Sequence, residues 1–203
     1  MIQTIFGSPV VILKANDMEK TFPNKLYEDM VDYLMISENK FVNHPYARGG
    51  KICTTDLNLG LNDDKLVQLQ PLLDFLQKEA SIYSYLFSTK KIKNLKFDNT
   101  WMNLTFEGCE IKNHYDKYDD TDFKSLITLF YPRTTLGSSN LIFIHNSIYG
   151  QWPSECSEID IVKIFIEEGT VIIFDNSTLH AVDIHNASNP RMCIAVEFKL
   201  ETD

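Results

Sequence analysis

The feature that most constrains this chain is a change of character near Lys96. From there to the C-terminus the sequence reads as eight short strand-like runs: Phe97 to Phe106, Glu110 to His114, Ser125 to Tyr131, Asn140 to Ile144, Ile161 to Ile166, Thr170 to Phe174, Leu179 to Ile184 and Arg191 to Leu200. Turn formers separate them, among them Gly108, the acidic run Asp119 to Asp122, Gly137-Ser138-Ser139, Gly169 and Asn189-Pro190. Eight short strands at this spacing point to a jelly roll or closed sandwich.

The first half carries the helices. A helix is predicted from about Pro23, with Leu26, Met30, Val31 and Leu34 on one face. A longer one is predicted from Asp63 to about Phe87, where Leu66, Leu69, Leu72, Leu73, Leu76, Ala80 and Tyr83 recur at helical spacing and Pro71 is the discordant residue. Ile2 to Leu13 reads as one or two short strands broken at Gly7-Ser8-Pro9, Asn43 to Lys51 as loop, and Thr55 to Leu61 as a short strand. The expected class is α+β, with the N-terminal helices packed on one sheet of a jelly-roll core. At 203 residues, without a repeat or linker, the chain is read as a single domain, 1–95 supporting a core over 96–203.

Charge narrows the partners. The net charge is −9, and the 19 basic residues include only three arginines, Arg48, Arg133 and Arg191. Nucleic acid and anionic membrane are therefore not expected as partners. No apolar run approaches the roughly 18 residues needed to span a bilayer, and the N-terminus has neither a basic n-region nor a cleavage site. The cysteines Cys53, Cys109, Cys156 and Cys193 form no CxxC pair, so free thiols in a cytoplasmic protein are expected.

The strand-rich half holds the candidate chemistry. In an extended backbone His114 and Asp116 lie on the same side, supplying two members of a two-His-one-carboxylate facial triad, the set that holds non-haem Fe(II) with positions open. About 0.7 H-x-[DE] matches arise by chance in this composition, so the pair needs a third ligand to carry weight. His180, after the apolar run Thr170 to Phe174, is the best candidate; His185 is the rival, with Arg191 only six residues on. Arg191 follows His180 by eleven residues, where a guanidinium can grip a carboxylate in a fork.

With these residues in place the sequence resembles the Fe(II)- and 2-oxoglutarate-dependent oxygenases, whose double-stranded β-helix carries H-x-D, a distal His and an Arg about ten residues later. His114, Asp116, His180 and Arg191 fit that pattern one by one, and the first half is similar to a small subfamily of phages and marine bacteria. The resemblance implies that His114, Asp116 and His180 are metal ligands and catalytic, and that Arg191 binds the far carboxylate of 2-oxoglutarate. It also implies that Tyr131 assists Arg191 and that Asn103 bonds the co-substrate's other end. O2 would be the second co-substrate, with succinate and CO2 released and a substrate hydroxylated. A peptidyl residue such as proline is slightly favoured over a free amino acid or other small molecule; in a phage-encoded case the site of action would be the host cytoplasm. Two alternatives stay open: a non-catalytic jelly-roll binding or phage structural module, and a cupin-like metalloenzyme that does not use 2-oxoglutarate. The loop of His44, Arg48, Gly49, Gly50 and Lys51 is a candidate cover for the substrate. Oligomeric state is not legible.

Overall fold

The computed structural model describes residues 1–15, 17–36, 42–43, 46–48, 52–56, 68–116, 124–145, 153 and 156–203. The chain opens with a hairpin, β1 (Ile2–Ile5) and β2 (Ser8–Lys14), turned by Phe6 and Gly7. Both turn residues have positive φ, 49° and 86°, as a two-residue hairpin turn of matching twist requires. Helices α1 (Met18–Thr21) and α2 (Asn24–Ile36) follow, then short strands β3 (Val42–Asn43), β4 (Ala47–Arg48) and β5 (Ile52–Asp56). Helix α3 covers Gln70–Tyr83 and ends in a 3-10 turn over Ser84–Leu86. The remaining strands are β6 (Ile92–Thr105), β7 (Glu110–His114), β8 (Ser125–Tyr131), β9 (Leu141–Ile144), β10 (Ile161–Ile164), β11 (Thr170–Asp175), β12 (His180–Val182) and β13 (Arg191–Thr202).

These strands form two antiparallel sheets, an eight-stranded one ordered β1-β2-β11-β8-β13-β6-β5-β3 and a five-stranded one ordered β10-β9-β12-β7-β4. From β6 onward the chain crosses between sheets at almost every connection, which winds it into a jelly roll. Each of the eight predicted runs of the second half overlaps one of the strands β6 to β13; β6 begins five residues before its predicted run and β13 ends two residues beyond its own.

Three expectations need correction. Pro71 is not discordant, because α3 begins at Gln70 and places the proline in its first turn, where a missing N–H costs nothing; residues 63–67 lie outside the described residues. The stretch read as loop from Asn43 to Lys51 contains β4, whose Ala47 and Arg48 pair with Ile111 and Glu110 of β7. The first 95 residues do more than support the core, since β1, β2, β5 and β3 are half of the larger sheet's strands.

Period-2 alternation divides the buried side chains of the larger sheet between two main clusters, one on each face. On the outer face of the larger sheet, Met102, Leu104, Phe130, Met192, Ile194 and Val196 share a cluster with Leu26 and Met30 of α2 and Leu72, Leu76 and Ala80 of α3. Between the sheets, Ile127, Leu129, Tyr131, Ile172, Phe174, Cys193 and Ala195 meet Leu141 and Phe143 of β9. Strands β8 and β11 are buried on both faces over almost their whole length, which explains why their sequence is largely apolar rather than alternating. Gly169 turns into β11 at φ 75°, and a Cβ there would stand 2.9 Å from Met18 Sδ of α1. Among the described residues no helix is long and apolar enough to cross a membrane.

Candidate metal centre

His114 closes β7 and His180 opens β12, and the two are register partners across the antiparallel pair. That pairing brings their rings to 4.4 Å between centroids. Asp116 follows β7 by two residues; its Oδ1 lies 3.8 Å from His114 Nε2 and its Oδ2 3.5 Å from His180 Nε2. One ligand atom from each residue falls within 4.8 Å of the others.

The backbone decides which ring nitrogens face the centre. His114 Nδ1 lies 2.9 Å from the Lys112 carbonyl and His180 Nδ1 3.1 Å from the Thr178 carbonyl. A carbonyl only accepts, so each Nδ1 carries the proton and each Nε2 presents a lone pair. Two lone pairs and a carboxylate then face one another, and Asp116 Oδ2 is buried without a hydrogen-bond donor among the described residues. Acceptors gathered this closely repel unless a cation lies between them. Burial, and after it the neighbouring His180, pushes the His114 pKa down to about 4 against a partial opposing effect of Asp116, so this imidazole stays neutral and metal-competent at physiological pH.

Each imidazole is backed by an aromatic ring. Phe174 meets His180 edge-on at 4.9 Å, and Tyr46 stacks on His114 at 5.0 Å with 24° between planes. Tyr46 was not singled out by sequence reasoning. It reaches the site because its carbonyl accepts from Lys112 N–H at 2.8 Å and because Arg48, on β4, binds buried Glu110 through Nε at 2.7 Å. Of the loop considered as a cover, Arg48 is thus a tether, while His44, Gly49, Gly50 and Lys51 lie outside the described residues, as does the acidic run 119–122.

Arg191 opens β13 and is 2% exposed. Its Nη1 donates to the Ser139 carbonyl at 2.9 Å and its guanidinium carbon stands 5.0 Å from the Tyr131 ring centre. No carboxylate pairs with it among the described residues, and its Nε has no acceptor. Register places Thr105 opposite Arg191 and Asn103 opposite Cys193, on the same inner face. Thr105 Oγ1 and Asn103 Oδ1 are also buried without hydrogen-bond partners among the described residues. The Tyr131 hydroxyl interacts with the Cys193 thiol and with Arg191; burial first, then the Cys193 thiol, raises its pKa well above the usual value. Burial pushes the Cys193 thiol up to about 11, so both remain protonated donors. This is a polar, cation-bearing cradle with unused hydrogen-bonding capacity.

His185, the rival ligand, lies outside the centre. Its Nδ1 accepts from Ser139 N–H at 3.1 Å and its Nε2 donates to the Asn189 carbonyl at 2.8 Å. It thereby steadies the residue whose carbonyl holds Arg191, a role that only the fold reveals. All six residues singled out from the sequence, His114, Asp116, His180, Arg191, Tyr131 and Asn103, thus fall into two adjoining groups around the space between the sheets.

No protein-family model and no curated protein matches the chain. Solved structures do. A prolyl-4-hydroxylase from Pseudomonas putida aligns at 12% identity over 96% of this chain and 93% of its own, with a TM-score of 0.57. The non-haem α-ketoglutarate-dependent epimerase SnoN of nogalamycin biosynthesis aligns at 13% identity over 94% and 78%, with a TM-score of 0.62. A prolyl hydroxylase from Trichoplax adhaerens, in complex with a peptide fragment of a hypoxia-inducible-factor degradation domain, aligns at 13% identity over 94% and 83%, with a TM-score of 0.60. At these identities the likeness establishes the fold: the chain has the jelly-roll fold of the Fe(II)- and 2-oxoglutarate-dependent oxygenases.

Proposed function

We propose that the chain is an Fe(II)- and 2-oxoglutarate-dependent oxygenase, acting as one unit over residues 1–203, that hydroxylates a substrate and releases succinate and CO2. The observation that carries this reading is Arg191. A guanidinium buried to 2% exposure with no carboxylate partner among the described residues costs several kcal/mol in desolvation, and the cost is offset when an anionic ligand enters. It opens β13 of the larger sheet, on the inner face turned towards the smaller sheet that carries His114 and His180. A binding module, or a metalloenzyme that does not use 2-oxoglutarate, gives no reason for this charge.

In this reading His114 and His180 hold the metal through Nε2 and Asp116 through its carboxylate, a set suited to Fe(II) with open positions. When bound, iron and 2-oxoglutarate supply the oxidising power, with O2 as the second co-substrate. The protein's own work is positional. Arg191 uses its unpartnered Nε edge, and Tyr131 its hydroxyl, to take the far carboxylate; Asn103 and Thr105 meet the part of the co-substrate nearer the metal. The Lys112 and Thr178 carbonyls hold both imidazoles in the metal-binding tautomer. Phe174 and Tyr46 close the flanks of the two histidines. A peptidyl substrate stays ahead of a small molecule in this reading.

The test is direct. Purified chain should bind one Mn(II) as an iron surrogate, lose it on Asp116→Ala, and turn over 2-oxoglutarate to succinate aerobically with Fe(II). Failure of the wild-type chain to bind both metal and 2-oxoglutarate refutes the reading.

A further inference from the structure

The inner face of β13 carries a second buried charge at its other end. Alternation along Arg191, Cys193, Ala195 and Glu197 is unbroken, since the first register shift against β6 comes after Glu197. Glu197 is therefore on the inner face, six residues or about 20 Å of strand from Arg191, and is 5% exposed. Among the described residues its one hydrogen-bond donor is Ser125 Oγ, which bonds Oε1. Among the described residues no cation forms an ion pair with it; Lys199, two residues on, acts on it through space but is itself held by Asp98 at 2.7 Å.

Glu197 also looks onto the metal centre. It is register partner to Ile127, and Ile127 to Phe174, so two strand spacings, about 10 Å, separate it from the ring that backs His180. Asp116 acts on it through space, as it does on Cys193. Among the described residues the face thus has a cation without a carboxylate partner on the side assigned to the co-substrate and a carboxylate without a direct ion pair on the other.

We propose that Glu197 is the specificity-determining residue of the site and takes a cationic, hydrogen-bond-donating group of the substrate, a primary ammonium or guanidinium, on the carboxylate oxygen that Ser125 does not use. The substrate is accordingly a molecule or peptide with a lysine-like or arginine-like group, not a neutral prolyl one. A buried carboxylate with one hydroxyl donor is costly on its own and is repaid by a charge-assisted pair; the net charge of −9 favours the approach of a cation. This inference rests on the oxygenase reading for the place of the substrate, not for the chemistry of Glu197.

The experiment uses the full chain, both unloaded and loaded with Mn(II) and N-oxalylglycine, an inert analogue of 2-oxoglutarate. It is titrated with alanine-based heptapeptides whose central residue is Lys, Arg, norleucine, citrulline or Pro. Lys and Arg peptides should bind about tenfold or more tighter than their uncharged isosteres. Glu197→Gln, which keeps the Ser125 contact, should abolish that ratio, and Glu197→Asp should retain part of it; thermal melts establish that both variants fold. Equal binding of charged and uncharged peptides, a preference for Pro, no binding of Lys and Arg peptides, or selectivity that survives in Glu197→Gln overturns the proposal. A chain that takes metal and 2-oxoglutarate without discriminating refutes this inference alone. A chain that takes neither, yet discriminates through Glu197, refutes the oxygenase reading alone.

Discussion

Replacing Arg191 by lysine separates charge from geometry. In the structure the guanidinium divides its donors: Nη1 is committed to the Ser139 carbonyl at 2.9 Å, and Nε is left without an acceptor among the described residues. A carboxylate taken on that free edge completes the group without breaking the Ser139 bond. A lysine has one ammonium on a flexible stem and cannot present two fixed edges, so one charge-assisted hydrogen bond is lost. Such bonds contribute about 1.5–3 kcal/mol, which is a weakening of roughly 10- to 150-fold in Kd. The assay is thermal or urea unfolding of the Mn(II)-loaded chain with 2-oxoglutarate at 100 times the wild-type Kd. Linkage gives the wild type about 2.7 kcal/mol of added stability there, and leaves Arg191→Lys about 0.3–1.4 kcal/mol. Arg191→Met should show none. If Arg191→Lys is stabilised as much as the wild type, the fork is not what binds the co-substrate, and Arg191 loses its assignment.

Other expectations follow from neighbouring contacts. Asp116→Ala should weaken Mn(II) binding, read by electron paramagnetic resonance, by more than the roughly 10–100-fold typical of an outer-shell partner. The metal-free chain should lose stability as pH falls from about 6.5 towards 4. His114 titrates at about 4 when folded, the unfolded chain takes up that proton first, and the shift from 6.5 corresponds to at most about 3.4 kcal/mol. Urea midpoints at pH 7 and pH 5 measure this, and His114→Gln should remove most of the difference. Leu76→Ala, at a fully buried position of α3, should cost about 2–5 kcal/mol in urea unfolding. His185→Ala should weaken 2-oxoglutarate binding while leaving Mn(II) binding at the wild-type level, because His185 touches Ser139 and not the metal ligands.

The strand-rich half was legible because each short apolar run ends at a residue that breaks a strand: Gly108, Gly137, Gly169, Pro190. The histidines were legible for a different reason, since His114 and His180 sit at strand ends and spacing alone can nominate such positions. Helix boundaries were less so. Periodicity continues across Leu66 and Leu69, and only the placement of Pro71 in a first turn shows where α3 begins. The stretch around Tyr46 carries turn formers and no alternation, so nothing local announces a strand. Its two-residue pairing with β7 exists because β7 offers an edge and buried Glu110 holds Arg48.

What the sequence by itself determined about this protein is local: where strands begin and end, and which side chains are chemically able to hold a metal or an anion. Spacing along the chain carries that information because backbone alternation and turn conformation depend on near neighbours. The tertiary structure decided everything that depends on residues far apart. It made His114 and His180 register partners across 66 positions of chain, turned Arg191 and Glu197 to one inner face with no ion pair among the described residues, and set His185 behind Ser139. Burial is a property of the packed sheets, not of any segment, and a charge becomes informative only once packing has removed its water and failed to supply a counter-ion.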